Sequence, residues 1–170
     1  SSSATLRTVS ASGFTDVHPD FSPLTRMRTL GDSFAFGCFK MEGVRLPPGI
    51  TRIGHSAFGS PNPRAPAALR TLDLSGTQVR VVGSDFCVRN ASVTDVLLPA
   101  TLQRLGFNAL QLCSGLVRLL LRHTRLTHIA HGFANGCSAL RVLQLPGCLA
   151  TLGDRALAGC SALAAIDLRA

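Results

Sequence analysis

The residues able to do chemistry in this chain are six cysteines, five histidines and nine carboxylates. His123, His128, His131 and Cys137 lie close together and include an H-x-x-H spacing, a donor set that zinc accepts. The cysteines on their own raise the question of disulfides or a metal site. Asn90-Ala-Ser92 matches an N-glycosylation acceptor. Glu42 is the only glutamate and the eight aspartates are scattered, so paired-glutamate acid–base catalysis is excluded. The chain has no G-x-S-x-G elbow, P-loop or dinucleotide fingerprint. What the thiols and imidazoles mean therefore depends on the elements that carry them.

Those elements repeat. A small residue recurs as an anchor at Gly31, Gly54, Gly83, Gly106, Ala130 and Gly153. An apolar residue stands just before each: Leu30, Ile53, Val82, Leu105, Ile129 and Leu152. Three and four residues after each anchor come large and small apolar residues in pairs, Phe34-Ala35, Ala57-Phe58, Phe86-Cys87, Ala109-Leu110, Phe133-Ala134 and Ala156-Leu157. A strand pattern then ends on Leu46, Leu74, Leu98, Leu121, Leu145 or Leu168. The second unit is lengthened by a Pro-rich insertion within Ser60–Pro66, which reads as a bulged loop. Units one, three and five turn with Pro47, Pro99 and Pro146, whereas units two and four turn without Pro, through Ser75-Gly76-Thr77 and Arg122-His123-Thr124. The working unit is thus a pair of turns, and Leu74, Leu121 and Leu168 are spaced 47 residues apart. Self-similarity of this kind marks a solenoid, in which each turn buries its apolar edge only against its neighbours.

Placed in the repeat, most of the chemistry dissolves. Cys38, Cys113, Cys137 and Cys160 share the position seven after the anchor, with Asn90 filling it in unit three. That is an inward column of small residues that bond neighbouring backbone, and it predicts a buried Asn90. Stacked parallel Cβ vectors suit disulfides poorly, and free thiols fit a reducing compartment. Cys148, at a variable turn position, is the expected exposed thiol. His128 aligns with Thr29, Arg52, Arg104 and Thr151, and His131 with Asp32, His55 and Asp154, so both are expected to be solvated rather than metal ligands. No metal site and no cofactor is expected.

Segments such as LPPGITRIGHSAF, LPATLQRLGFNALQLCSGLVRLLL and LPGCLATLGDRALAGCSALAAIDL resemble the BspA-like leucine-rich repeats over roughly residues 24–170. The resemblance implies an α/β leucine-rich-repeat solenoid, a right-handed coil with one parallel strand per turn on the concave face and short helical or irregular segments on the convex side. It also implies an interaction or adhesion module, often at a cell surface. The chain departs from the family pattern at its Pro-free turns, at Ala130, and at Pro61 and Asn90 where Cys is expected.

Residues 1–23 read as a degenerate N-terminal unit, with Leu6, Val9 and Ala11 as its strand and Ser12–Pro23 as a loop, and residues 24–170 as a solenoid of six units. The strand end at Leu168 carries no polar cap, which suggests a longer array or a packed end. No apolar run is long enough to span a membrane.

The expected role is a non-catalytic protein–protein interaction scaffold. On the concave strands Leu97, Val117, Leu120 and Val142 gather beside Arg118 and Arg141, an apolar patch with an arginine rim. The alternative is an RNA-associated or assembly-stabilising protein. Net charge is +8, with sixteen Arg against the single Lys40, and Arg26, Arg28, Arg52, Arg80, Arg104 and Arg125 form a basic flank before the anchors. The same Arg excess is also what a GC-rich genome produces.

Overall fold

A computed structural model of the chain describes residues 16–62 and 68–167. The expected strand at Leu6, Val9 and Ala11, the insertion from residue 63 to 66, and Leu168 lie outside the described residues. Short strands follow one another as β1 (Thr29–Leu30), β2 (Arg52–Ile53), β3 (Thr71–Asp73), β4 (Val81–Val82), β5 (Asp95–Leu97), β6 (Arg104–Leu105), β7 (Arg118–Leu120), β8 (His128–Ile129), β9 (Val142–Gln144), β10 (Thr151–Leu152) and β11 (Ala165–Asp167). They form two parallel walls. The longer strands make a five-stranded sheet in the order β11-β9-β7-β5-β3. The two-residue strands just before the anchors make a second wall, β1-β2-β4-β6 followed by β8-β10. Before β3 the main sheet is continued by backbone bonds: Arg70 N donates to Glu42 O at 3.1 Å, and Arg45 N to Pro19 O at 3.0 Å. Asp20 bridges Arg45 in parallel, so part of the stretch expected to be a loop lies alongside the first unit.

Two expectations need correction. Five of the six turns carry two strands rather than one, the first having β1 and an isolated bridge at Arg45, and no helix occurs among the described residues. The reason is local. The residue two after the anchor is left-handed in every unit: Ser33, Ser56, Asp85, Asn108, Gly132 and Arg155, with φ between 51° and 67°. A second left-handed residue follows four positions later at Gly37, Arg89, Leu112, Gly136 and Gly159. A right-handed helix cannot pass through such residues. Instead, backbone groups of this segment bond the adjacent turn, as in Ala35 N to Ala57 O at 2.7 Å, Cys87 N to Ala109 O at 2.8 Å and Leu110 N to Phe133 O at 2.8 Å. This wall is therefore a third ladder between turns. Non-glycine residues held at positive φ store strain of about 1 kcal/mol or more. Arg89→Gly (φ 59° at an exposed side chain) is accordingly expected to raise stability by about 1 kcal/mol in chemical denaturation, and a loss of stability would contradict the strain.

The core is one file of side chains down the middle of the coil. Phe34, Phe58, Phe86 and Phe133 are fully buried, with Leu72, Val96, Leu119 and Leu143 facing them from the long strands. The two kinds of turn close by different means. Pro47, Pro99 and Pro146 are buried and accept from Ile50, Leu102 and Leu149 respectively. In the Pro-free turns a buried threonine takes over: Thr77 Oγ1 donates to Leu74 O, and Thr124 Oγ1 to Leu121 O, both at 2.7 Å. A side-chain hydroxyl capping the strand end is a recurrent turn device.

The expected cysteine column is present. Cys113 Sγ donates to Cys87 O at 3.0 Å, Cys137 to Leu110 O at 3.2 Å and Cys160 to Ala134 O at 3.2 Å. Each acceptor is the residue four after the anchor of the preceding turn. Asn90, 3% exposed, makes the same bond through Nδ2 to Phe58 O at 3.4 Å. All six cysteines are free thiols, and Cys148 is exposed. The hydrogen-bonded Cys87 thiol and then burial hold Cys113 well above the ordinary thiol range, and burial does most to push Cys137 up. Such thiols pack rather than react.

Candidate functional site

Strand alternation decides which side chains of the main sheet meet solvent. Val96, Leu119 and Leu143 point inward and are at most 3% exposed. Their neighbours point outward: Leu97 is 41% exposed, Leu120 38% and Val142 39%, with Val117 at 37% just before β7. The register pairs Arg118 with Val142 and Leu120 with Gln144, and places Asp95 opposite Arg118. Successive turns lie about 4.8 Å apart, so the four apolar side chains form one patch spanning β5, β7 and β9. Arg118 and Arg141 are exposed, and neither is ion-paired among the described residues. Thr94 Oγ1 donates to Asp95 Oδ2 at 2.9 Å, which turns that carboxylate toward its own strand.

The first turns of the same sheet have a different character. His18, Asp20, Arg45, Thr71 and Asp73 line an open hollow of about 620 Å3. Hydrogen bonds from Ser22 hold the Asp20 carboxyl below its ordinary range, with a smaller contribution from Arg45. The outer face is therefore polar at one end and apolar in the middle.

The histidines lie at separate places. His123 Nε2 lies 2.7 Å from Leu98 O, His128 Nδ1 2.8 Å from Thr127 Oγ1, and Cys137 is in the core. No group of three His, Cys, Asp or Glu able to hold a metal ion occurs among the described residues.

All six arginines of the basic flank, Arg26, Arg28, Arg52, Arg80, Arg104 and Arg125, are exposed. Arg28 is committed locally, donating through Nη1 to Thr25 O at 2.7 Å and Met27 O at 3.1 Å. Arg52 and Arg104 stand on the short-strand wall in the same column, with Val81 between them.

That wall has a seam. Four anchor glycines bond the turn before: Gly54 N to Leu30 O, Gly83 N to Ile53 O, Gly106 N to Val82 O and Gly153 N to Ile129 O, all between 2.8 and 3.0 Å. Ala130 makes no such bond to Leu105, and the wall divides between β6 and β8. The cause is steric. A Cβ on Gly83 would lie 2.6 Å from Gly54 C and from His55 N, and one on Gly153 would lie 2.7 Å from Ala130 C. The anchors are glycine because backbone packs against backbone there, not because φ is positive. Ala130 puts a methyl group at this contact, and the two-residue strands no longer pair there, although Arg125 N to Leu102 O at 2.8 Å and Asn108 N to His131 O at 3.0 Å still join the same two turns.

A second irregularity falls at the same place. The residue after the anchor accepts a backbone N–H from the next turn: Asp32 Oδ1 from His55 N at 2.8 Å, His55 Nδ1 from Ser84 N at 3.1 Å and Ser84 Oγ from Phe107 N at 3.2 Å. Phe107 has no acceptor to continue the series, and it is 60% exposed. The pattern of the repeat does not single out this residue. Its signal was a single apolar side chain in a column otherwise filled by Asp32, His55, Ser84, His131 and Asp154.

The chain matches the BspA type leucine rich repeat region (6 copies) over residues 78–170, more than half its length. No curated protein matches it. Among solved structures it is similar to a leucine-rich repeat protein of T. pallidum, at 24% identity with a TM-score of 0.66, covering 86% of this chain and 64% of that one. It is also similar to a leucine-rich repeat protein of Bacteroides ovatus, at 15% identity with a TM-score of 0.53, covering 86% of this chain and 47% of that one. The chain thus spans less than two thirds of either. Repeated anchors, stacked parallel strands and these likenesses agree, and the chain belongs to the BspA type leucine-rich-repeat family.

Proposed function

We propose that the chain is a non-catalytic scaffold that holds a protein partner on the outer face of its main sheet. The observation that carries this reading is the patch of Leu97, Val117, Leu120 and Val142, each 37–41% exposed and carried on or beside the neighbouring strands β5, β7 and β9. Solvent-facing strand positions are ordinarily polar, and a contiguous apolar cluster rimmed by unpaired arginines is the composition of an interface centre. The repeat fold supports the same role, since stacking turns builds an extended surface without building an enclosed pocket.

Leu120 sits at the middle of the patch, on the central strand of the sheet. Leu120→Arg leaves the inward Leu119 and Leu121 untouched, so circular dichroism and the melting temperature are expected to stay as in the wild type. Loss of a central apolar anchor and insertion of a charge are expected to weaken capture of the partner by about 30-fold or more. The measurement compares proteins retained by immobilised wild-type and Leu120→Arg chains. A folded variant that retains the same proteins in the same yield would remove the patch from the interface.

A further inference from the structure

Over the β2, β4 and β6 turns of the short-strand wall, ending at the seam, lies an open groove of about 430 Å3, lined by Arg52, His55, Ser84, Arg104, Phe107 and Ala130 among others. None of its lining residues is a carboxylate. We infer that this groove, on a different wall from the proposed partner face, binds a single-stranded nucleic acid: Arg52 and Arg104 take two phosphates and Phe107 stacks a base.

Three observations converge on this occupant. Arg52 and Arg104 stand in one column, two strand spacings or roughly 10 Å apart along the wall, with both side chains exposed and neither ion-paired among the described residues. The aspartates of the column beside them, Asp32 and Asp154, stand in the first and last units, while the middle holds His55, Ser84, Phe107 and His131. The lining carries no carboxylate, the two nearest being engaged at its border, Asp32 by His55 N at 2.8 Å and Asp85 by Asn108 Nδ2 at 3.3 Å, and the chain carries +8 overall. Finally, two regularities of the repeat end at this place, the first of them not resumed by His131 in the turn that follows. Phe107 gives up a backbone bond that three preceding turns make, and Ala130 gives up the bond made by every other anchor that has a described turn before it. Neither change buries apolar surface, since Phe107 is 60% exposed. A local rule broken with no gain in packing marks a site kept for binding. An exposed ring beside guanidinium groups is the arrangement that grips a flexible polynucleotide, with stacking for the bases and charge for the backbone. A polyglutamate peptide would use the arginines but has no aromatic group to stack on the ring.

The test is fluorescence anisotropy with labelled oligouridine and oligoadenosine of about ten nucleotides, titrated with the intact chain over a range of salt. At about 50 mM salt both are expected to bind, with log affinity falling linearly in log salt. Phe107→Ala is expected to weaken binding about tenfold and leave the salt slope unchanged, with Phe107→Trp restoring it. Arg52→Ala and Arg104→Ala are each expected to flatten the slope by about 0.7. Leu120→Arg is expected to bind the oligonucleotides as the wild type does, which separates this groove from the partner face. The inference is overturned if neither oligonucleotide binds at low salt, or if Phe107→Ala binds as well as the wild type. It is also overturned if a polyglutamate peptide binds with the same dependence on Phe107, which would make the groove a peptide site. Phe107 is a surface side chain, so an unchanged circular dichroism spectrum is expected to accompany its variants.

Discussion

Gly83→Ala is expected to lower stability by about 3 kcal/mol, a large effect for one methyl group. The added Cβ would stand 2.6 Å from Gly54 C and His55 N and 2.8 Å from Gly54 O. All three atoms are backbone, so no side chain can swing away to relieve the clash. Relief requires that β2 and β4 separate, which breaks the Gly83 N to Ile53 O bond of 2.9 Å and the register of Arg52 with Val81. The chain already contains a milder form of this experiment: where Ala130 stands at the anchor, β6 and β8 no longer pair. The Pro-free turn is not the cause, because β4 also follows such a turn and still pairs with β2. For a chain of this length the loss corresponds to a fall in melting temperature of roughly 6–12 °C. The reverse substitution, Ala130→Gly, removes the methyl group but adds chain entropy, and is expected to change stability by about 1 kcal/mol or less. A Gly83→Ala chain within about 1 kcal/mol of the wild type would show that the turns slide apart freely, and the steric account of the seam would fail.

The sequence is most legible wherever the repeat stacks identical positions. The anchors, the inward strand leucines and the bonding column of Cys113, Cys137 and Cys160 were legible because six copies vote on each position. The burial of Asn90 followed from its place in that column rather than from its side chain. The expected helical segments were not legible, because the decisive variable is the sign of φ. The residues that adopt the left-handed conformation two after the anchor are Ser33, Ser56, Asp85, Asn108, Gly132 and Arg155, a mixture with no single chemical type. Asp and Asn tolerate that conformation and Gly favours it, but Arg155 and Leu112 adopt it only because the ladder between turns requires it. Phe107 is hard to see for a different reason: an apolar residue is common in this chain, and only its column makes this one an exception. The second wall of strands was also hidden, since its strands are two residues long and show no alternation.

Phe58→Ala is expected to be the most damaging single truncation, at about 5 kcal/mol. Phe58 is 1% exposed and lies between two other buried rings. Its centroid is 6.0 Å from that of Phe34 at an interplanar angle of 69°, and 5.6 Å from that of Phe86 at 85°. Phe21 extends the file beyond Phe34 at 5.3 Å. Deleting the ring leaves a cavity costing about 3–5 kcal/mol and removes two edge-to-face contacts of about 0.5–1.5 kcal/mol each. The position of the ring matters as much as its presence. Phe34 and Phe86 stand three after their anchors, whereas Phe58 stands four after. That alternation offsets neighbouring rings, so each presents an edge to the next face. In one column they would lie at the strand spacing of about 4.8 Å, closer than the 5.6 and 6.0 Å found here and nearer to stacking than to edge-to-face contact. The double variant Ala57→Phe/Phe58→Ala keeps the composition but moves the ring into the column of its neighbours, where Ala57 is fully buried and leaves no room. It is expected to be at least as unstable as Phe58→Ala, by thermal and urea denaturation of both chains. A double variant as stable as the wild type would mean that the offset of the rings plays no part in pairing the turns, and the 47-residue period would then rest on the alternation of buried prolines and threonines alone.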